Sequence, residues 1–383
     1  MFINFWYPAE LSANVKDQPV KCRILGQSLV VFRDENGAAR CLSNVCVHRC
    51  ASLANGWTNE GKVVCPYHGW EYNGEGKCTL IPSLGRDNQG AGMARAQVDS
   101  YPTEERYGIV FVFLGDLPEA ERPPIMEITQ WGQKGWRPTL ASYQWKANYR
   151  RLVENALDFS HPEYVHLVGR KGADPDYHVP DYEIEENEWG AGAEVTFTRP
   201  KGMWRFAGEG TKSSTTAGTT FFGPNQLVTK IHIGPKMKTY QYMFEAPIDE
   251  YNVRTFLVNC RDFFINPIFD GMANSRNMKI AEEDRVIAEA IEPVIGRETS
   301  SADLSVKADK IQMNYRRKLK EWEAKGWRID TEAIGAGYPG KDFYVIPGPR
   351  RRESGNWVFR PVPMMSGSTD SGASQPDAVE GQA

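Results

Sequence analysis

The chain has 383 residues, enough for two cores at roughly 100–200 residues per domain. A formal charge of −4, with 41% hydrophobic and 25% charged residues, is that of an ordinary globular protein and gives no reason to expect nucleic acid or an anionic membrane as partner. No apolar run approaches the roughly 18 residues that span a bilayer, MFINFWYPAELSANV lacks the basic start of a signal peptide, and the seven cysteines are odd in number without a repeating pattern; a cytoplasmic protein without a disulfide framework is expected.

From Phe2 to about Asp116 the chain reads as short strands: VKCRIL, SLVVFRD, AARCLSN, KVVC, WEYN and GIVFVFLG, with DENG, EGK and NGEG as turns. Residues 1–117 are expected to form an all-β domain, bounded by the proline-bearing linker LPEAERPPIME. Within it stands CVHRC...VVCPYHGW, a Cys-x-His pair and a Cys-x-x-His pair with sixteen residues between them. Two thiolates and two imidazoles in that order are the ligand set of a Rieske 2Fe-2S centre, Cys46 and Cys65 on one iron, His48 and His68 on the other. A Cys2His2 zinc site uses the same atoms but spaces them C-x2-4-C then H-x3-5-H, without mixing Cys and His inside a pair. Gly69 lets the backbone pass close to a bridging sulfide and Pro66 fixes the turn. Cys22, Cys41, Cys78 and Cys260 read as small buried apolar residues.

The phrases CVHRCASLANG and VCPYHGWEYNGEGKC resemble the Rieske domain of Rieske non-haem iron oxygenases. Respiratory Rieske proteins carry an extra cysteine in each ligand loop, joined as a disulfide; here Tyr67 stands in the second loop, so Cys50 lacks that partner. Fewer constraints and hydrogen bonds on the sulfurs favour the lower end of the Rieske range, roughly −150 mV.

Beyond the linker, Trp145 to Val168 shows helical spacing until Pro162 interrupts it. Residues 181–262 return to β character, enough for a broad antiparallel sheet joined in part by PIDEYN, and the pattern is helical again from Asn266 to Pro293. SADLSVKADKIQMNYRRKLKEWEAKG reads as an amphipathic, mostly solvated helix. GAGYPG at Gly335–Gly340 satisfies G-x-G-x-x-G, but no strand precedes it and Pro339 would spoil a helix start, so it is expected to be a loop. No other segment offers a flavin or nicotinamide site, and electrons must then come from a separate protein. The last stretch, 361–383, is expected to be a disordered tail after a second domain over 118–360.

In VENALDFSHPEYVH, Asp158 and His161 lie three apart, on one expected helical face, with His166 after the proline. Two histidines near a carboxylate point to non-haem iron, which needs a 2-His-1-carboxylate face with open positions opposite. Of the acids in AEEDRVIAEAIEP, Asp284 shares a helix face with Ile280, Ile287, Ala288 and Ile291, so it points inward and needs a cation. Glu282 reads as solvated and Glu283 is the alternative ligand.

The phrase N-x-x-D-x-x-H-x-x-x-x-H, here Asn155, Asp158, His161 and His166, again resembles the Rieske oxygenases. The resemblance implies an α+β protein: a Rieske domain followed by a helix-grip domain whose antiparallel sheet wraps a long helix around a substrate cavity. It implies mononuclear Fe(II) on His161, His166 and a late carboxylate, and Asp158 as a bridge to His68 of a neighbouring chain in a homotrimer. It also implies a separate NAD(P)H-dependent reductase, with or without a ferredoxin, and hydroxylation or demethylation of a small aromatic or other hydrophobic substrate. Ring cis-dihydroxylation and a non-catalytic electron carrier with a ligand-binding domain are the alternatives. Asn155, Trp204, Phe206, Phe222, His232 and Phe256 are the candidate substrate contacts.

Overall fold

The computed structural model describes residues 1–85, 94–166, 177–199, 213–233, 237–295, 303–336 and 343–366. The N-terminal part is all β, in three small sheets. β1 (Phe5–Leu11) will pair with the later β11; β2 (Val20–Ile24), β3 (Gln27–Arg33) and β4 (Ala39–Ser43) form a meander. β5 (Trp57–Asn59), β6 (Lys62–Val64), β7 (Glu71–Tyr72) and β8 (Cys78–Leu80) make a second antiparallel sheet, and β9 (Ser100–Tyr101) joins the edge of β4. β10 (Thr103–Arg106) and β1 flank β11 (Ile109–Leu114), whose six residues IVFVFL are all buried, as a continuous apolar run in a strand covered on both faces should be.

The linker is packed rather than free: Ile125, Met126 and Ile128 are buried and the Trp6 indole N–H donates to the Pro123 carbonyl. The large sheet that follows is antiparallel throughout. It begins with β12 (Arg137–Trp145), continues after the helices α1 (Tyr149–Leu157) and α2 (Pro162–Val165) with β13 (Glu185–Asn187), β14 (Gly190–Arg199), β15 (Ser213–Phe222), β16 (Gln226–Ile233) and β17 (Met237–Pro247), and ends with β18 (Val253–Arg261). Its strand order is β12-β18-β17-β16-β15-β14-β13. α3 (Asp270–Ala288) packs on β12 and α1, and α4 (Lys310–Ala324) on β14 and α1.

Strand alternation assigns the two faces of this sheet. Phe222, Gln226, Phe244 and Phe256 form one cross-strand row. Phe244 meets Phe111 of β11 edge-on at 5.0 Å, and Arg254, on the same face, clamps Glu10 of β1 through two bonds of 2.8 and 2.9 Å. The even-numbered face of β17 and β18 therefore packs on the first domain, and one buried core runs across the boundary. The odd-numbered face looks toward α1 and α3.

Four expectations change. The helix expected from Trp145 is shorter, because Trp145 is the last residue of β12 and the Asn148 side chain caps α1 by accepting the Arg150 N–H at 3.0 Å. α4 is less solvated than its composition suggests: Ile311, Tyr315, Leu319 and Trp322 are all buried. Gly335 and Ala336 close the short helix α5 (Thr331–Ala336) rather than a loop, the rest of GAGYPG lying outside the described residues. The terminal segment returns to the first domain: Tyr101 donates to the Ile346 carbonyl, Arg351 forks onto Asp99, and β19 (Tyr344–Val345) pairs with β20 (Arg360–Pro361), with Val362 buried. Residues 361–366, expected to belong to a disordered tail, are thus ordered, and 367–383 lie outside the described residues. Cys22, Cys41, Cys78 and Cys260 are buried as expected. Among the described residues no helix is long and apolar enough to cross a membrane.

Trp322 is 2% exposed and sits edge-on to Phe2 and Phe5. Trp322→Ala should cost about 3–5 kcal/mol, read from the denaturant midpoint, because the cavity opens where α4 meets the N-terminal strand.

Candidate metal centres and their cavity

The two Cys/His loops of the first domain are conformational copies. In one, the Cys50 N–H returns to the Cys46 carbonyl at 2.9 Å and the Cys46 N–H to Ala51; in the other, Gly69 returns to Cys65 at 3.0 Å and Cys65 to Trp70. The fifth residue of each is left-handed, φ 59° at Cys50 and 71° at Gly69. Glycine meets that demand at Gly69, where a Cβ would also press on Pro82 at 3.1 Å. Pro82 is the close neighbour that the structure gives Gly69. Cys50 pays the steric cost of the same turn, and its thiol is free and exposed.

Cys46 and Cys65 are both buried, and burial pushes the Cys46 thiol up to about 11. The His48 and His68 rings are 4.5 Å apart, and His48 stacks on Trp70. Buried Nδ1 of His48 has no hydrogen-bond partner among the described residues, which suits a nitrogen whose lone pair goes to a metal. Two buried thiols and this nitrogen fit a mixed sulfur and nitrogen centre. His68 and Tyr67, the latter 64% exposed, leave one side of the loops open to solvent. The sequence suggested few hydrogen bonds to the sulfurs; the buried Tyr72 hydroxyl nevertheless lies 3.2 Å from Cys46 Sγ.

The second group stands where α1, the turn after it and α3 converge. α1 ends at Leu157, and Asp158 has extended φ/ψ of −81° and 120°. Its Oδ1 accepts the Ser160 N–H at 2.7 Å, so Asp158 and His161 share a tight turn and not the expected helical face. Nδ1–H of His161 donates to the Asp158 carbonyl at 2.8 Å, and Nδ1–H of His166 donates to Glu283 Oε2 at 3.1 Å. Those two bonds fix the tautomers and leave both Nε2 atoms as donors to a metal. They lie 3.6 and 3.7 Å from Asp284 Oδ1, which also accepts from Asn155 Nδ2 at 3.3 Å.

Ligand atoms of His161, His166 and Asp284 all lie within 4.8 Å of one another. Burial raises the Asp284 carboxyl above its ordinary range, against the pull of His166 and His161, and lowers His161. The site therefore resists separate charges and suits a single cation shared by all three. Glu282 is paired with Arg285 at the surface, whereas Glu283 supports His166. Asp158 Oδ2 is 4.0 Å from His161 Nδ1.

This group opens on a cavity of about 710 Å³. From the sheet it is lined by Tyr143 and Trp145, then Leu257, Asn259 and Arg261, then Thr239, Gln241, Met243 and Glu245, nearly all odd-numbered. Of the six residues expected to touch substrate, Asn155 lines the cavity. Phe222 and Phe256 belong to the row against the first domain, and His232 lies on that same even-numbered parity, bonded to the Tyr240 hydroxyl at 2.9 Å. A contact role for these three is corrected by strand parity. Trp204 and Phe206 lie outside the described residues. Sequence reasoning missed Tyr143 and Glu245 in the wall; an acid within the otherwise uncharged run YQYMFEAP was the available signal.

Residues 5–102 match the family described as the Rieske [2Fe-2S] domain, and residues 145–325 the vanillate O-demethylase oxygenase C-terminal domain. The chain belongs to the Rieske oxygenases. Within that family it is 34% identical over 175 residues to 4beta-methylsterol monooxygenase of Methylococcus capsulatus, a match covering 45% of this chain and 47% of that protein. It is 32% identical over 174 residues to a vanillate O-demethylase oxygenase subunit of a Pseudomonas strain, covering 45% and 47%. The chain thus spans about half the length of these two relatives. The dicamba O-demethylase oxygenase component of Stenotrophomonas maltophilia is 26% identical over 300 residues, covering 76% of this chain and 87% of that protein. The fold is shared with dicamba monooxygenase bound to 3,6-dichlorosalicylic acid, at a TM-score of 0.70, 23% identity and coverage of 88% and 98%. It is shared too with Pseudomonas putida CBB5 NdmA bound to caffeine, at 0.70, 23%, and coverage of 84% and 91%.

A hydrogen bond to a cluster sulfur stabilises the reduced, more negative state. Tyr72→Phe should therefore lower the cluster potential by roughly 20–65 mV, the one-electron equivalent of about 0.5–1.5 kcal/mol, measured by a spectroscopic redox titration. At the second site, Asp284→Ala should abolish mononuclear iron while leaving the 2Fe-2S absorption intact. Glu283→Ala, which removes only the support of His166, should weaken iron retention by ~10–100-fold, measured by metal analysis after dialysis against a chelator.

Proposed function

We propose that the chain is the terminal oxygenase of a Rieske system, hydroxylating or demethylating a small hydrophobic organic substrate. One observation carries the reading: a paired Cys/His donor set and a separate 2-His-1-carboxylate group occur in one chain, and the second opens on a cavity. Cys46, Cys65, His48 and His68 would hold the 2Fe-2S cluster, and His161, His166 and Asp284 the mononuclear Fe(II). When bound, the cluster supplies electrons one at a time and the ferrous iron supplies dioxygen activation. The protein's own work is to hold and orient. Glu283 and the Asp158 carbonyl aim the imidazoles, Asn155 steadies Asp284, and the walls of the cavity keep the substrate out of bulk water.

Electrons would come from a separate NAD(P)H-dependent reductase, directly or through a ferredoxin. Asp158 would relay them; supporting this reading, its carboxylate is partly exposed and 4.0 Å from His161, and His68 is exposed at the end of its loop. The reading is a homotrimer in which Asp158 joins His161 to His68 of the partner subunit. All seven cysteines being free supports a cytoplasmic setting. Ring dihydroxylation is kept as a second reading by a 31% identity over 200 residues to a 3-chlorobenzoate-3,4-dioxygenase oxygenase subunit of Comamonas testosteroni.

Iron analysis tests the core of this. An oxygenase should hold about three irons per chain, two in the cluster and one beyond it; a preparation that never exceeds two is an electron carrier with a ligand-binding domain. Asp158→Asn should keep all the iron yet lower NADH-coupled dioxygen consumption by ~10–100-fold, because the amide oxygen is taken by the Ser160 N–H and the amide nitrogen cannot accept an imidazole N–H from the partner subunit. Near-normal turnover in that variant would rule out the Asp158 route.

A further inference from the structure

Glu245 is a carboxyl of the cavity wall that lies outside the candidate iron site and in none of the salt bridges of the described residues. It is 2% exposed, lines the cavity, and stands in a cross-strand row with Thr255 and Tyr143. The Thr255 hydroxyl donates to Glu245 Oε2 at 2.7 Å. Thr255 thus engages Oε2, and Oε1 is the oxygen left for a ligand. Oε1 takes no hydrogen bond from the described residues.

We propose that Glu245 determines substrate specificity: its carboxylic acid donates a hydrogen bond from Oε1 to an uncharged acceptor, such as a carbonyl or ether oxygen, at the end of the substrate away from iron. The inference deepens the oxygenase reading and rests on it for the chemistry alone. Burial pushes this carboxyl up to about 8, opposed only by the Thr255 hydroxyl, so the acid is protonated at neutral pH. The groups facing it agree. From β12 comes the neutral Tyr143, from β18 the neutral Thr255; the acid Asp284 on α3 acts on Tyr143; and Arg254 of β18 points to the other face, onto Glu10. A buried carboxylate would need a cation, and although Arg261, Arg276 and Lys279 also line the cavity, none of them acts on Glu245, and Arg261 is committed to Asp270. An ammonium substrate could supply one, and the two cases predict opposite outcomes.

Three probes of one shape separate them: 4-methoxyacetophenone, 4-ethylanisole, which lacks the carbonyl, and 4-methoxybenzylammonium. Binding is measured by calorimetry on the anaerobic holoenzyme without reductant. The wild type should prefer the ketone to 4-ethylanisole by about threefold to tenfold at pH 6.5. The preference should fade as pH rises through 8 and the donor proton is lost. Glu245→Gln keeps a donor and should hold the preference at both ends of the pH range, whereas Glu245→Leu should abolish it. A wild type without the ketone preference, or a Leu variant that retains it, overturns the proposal. So does tightest binding of the ammonium probe that collapses in Glu245→Gln. The measurement needs neither electrons nor dioxygen, so its outcome is independent of the iron count that tests the oxygenase reading.

Discussion

The rest of the structure depends on the alternation of side chains along β17 and β18. A strand offers two faces, and in these two both are in use: 244, 254 and 256 are committed to the first domain, 241, 243, 245, 257 and 259 to the cavity. A slip of one residue would put Phe244 and Phe256 into the cavity and Glu245 into the apolar contact with Phe111. Register is therefore fixed from both sides, and Arg254 with Glu10 adds a charged contact that only one register can make.

Onto the cavity face, α1 and α3 bring groups that burial makes uncomfortable. The carboxyl of Asp284 is raised and the imidazole of His161 lowered, both chiefly because water is excluded. Each shift disfavours the charge the group would carry alone. Yet the geometry is held tightly, with each Nδ1 occupied and Asp284 steadied by Asn155. A site that is ordered but electrostatically unsatisfied is one in which a cation repays what folding spends, which is why the apolar setting of Asp284 was informative.

Legibility in the sequence followed the range of the contacts. The cluster loops were readable because each donor pair sits within four residues and its turn is closed by its own backbone. Asp284 was readable because helical periodicity in α3 is a property of α3 alone. The substrate wall was not, since the faces of β15, β16 and β18 are assigned only by their pairing partners and by what covers them; Phe222, His232 and Phe256 carry the right chemistry on the wrong parity. The turn at Asp158 was missed for a local reason: its side chain competes for the Ser160 N–H and ends the helix before proline does. Glu283 was weighed as a ligand, and it stands one bond further out, against His166.

The same two-faced sheet bears on how electrons could travel. The cluster loops belong to a small core of first-domain residues that includes Cys46, Cys65, Trp70 and Tyr72. That domain packs on the even-numbered face, whereas His161, His166 and Asp284 open on the odd-numbered one. Within one chain the cluster loops thus belong to the domain on one face of the sheet, and the second donor set opens on the other. His68 and Tyr67 meanwhile face outward, and Asp158 is partly exposed beside His161. The exposure of His68 on one site and of Asp158 beside the other supports the proposed reading of Asp158 as a bridge between chains.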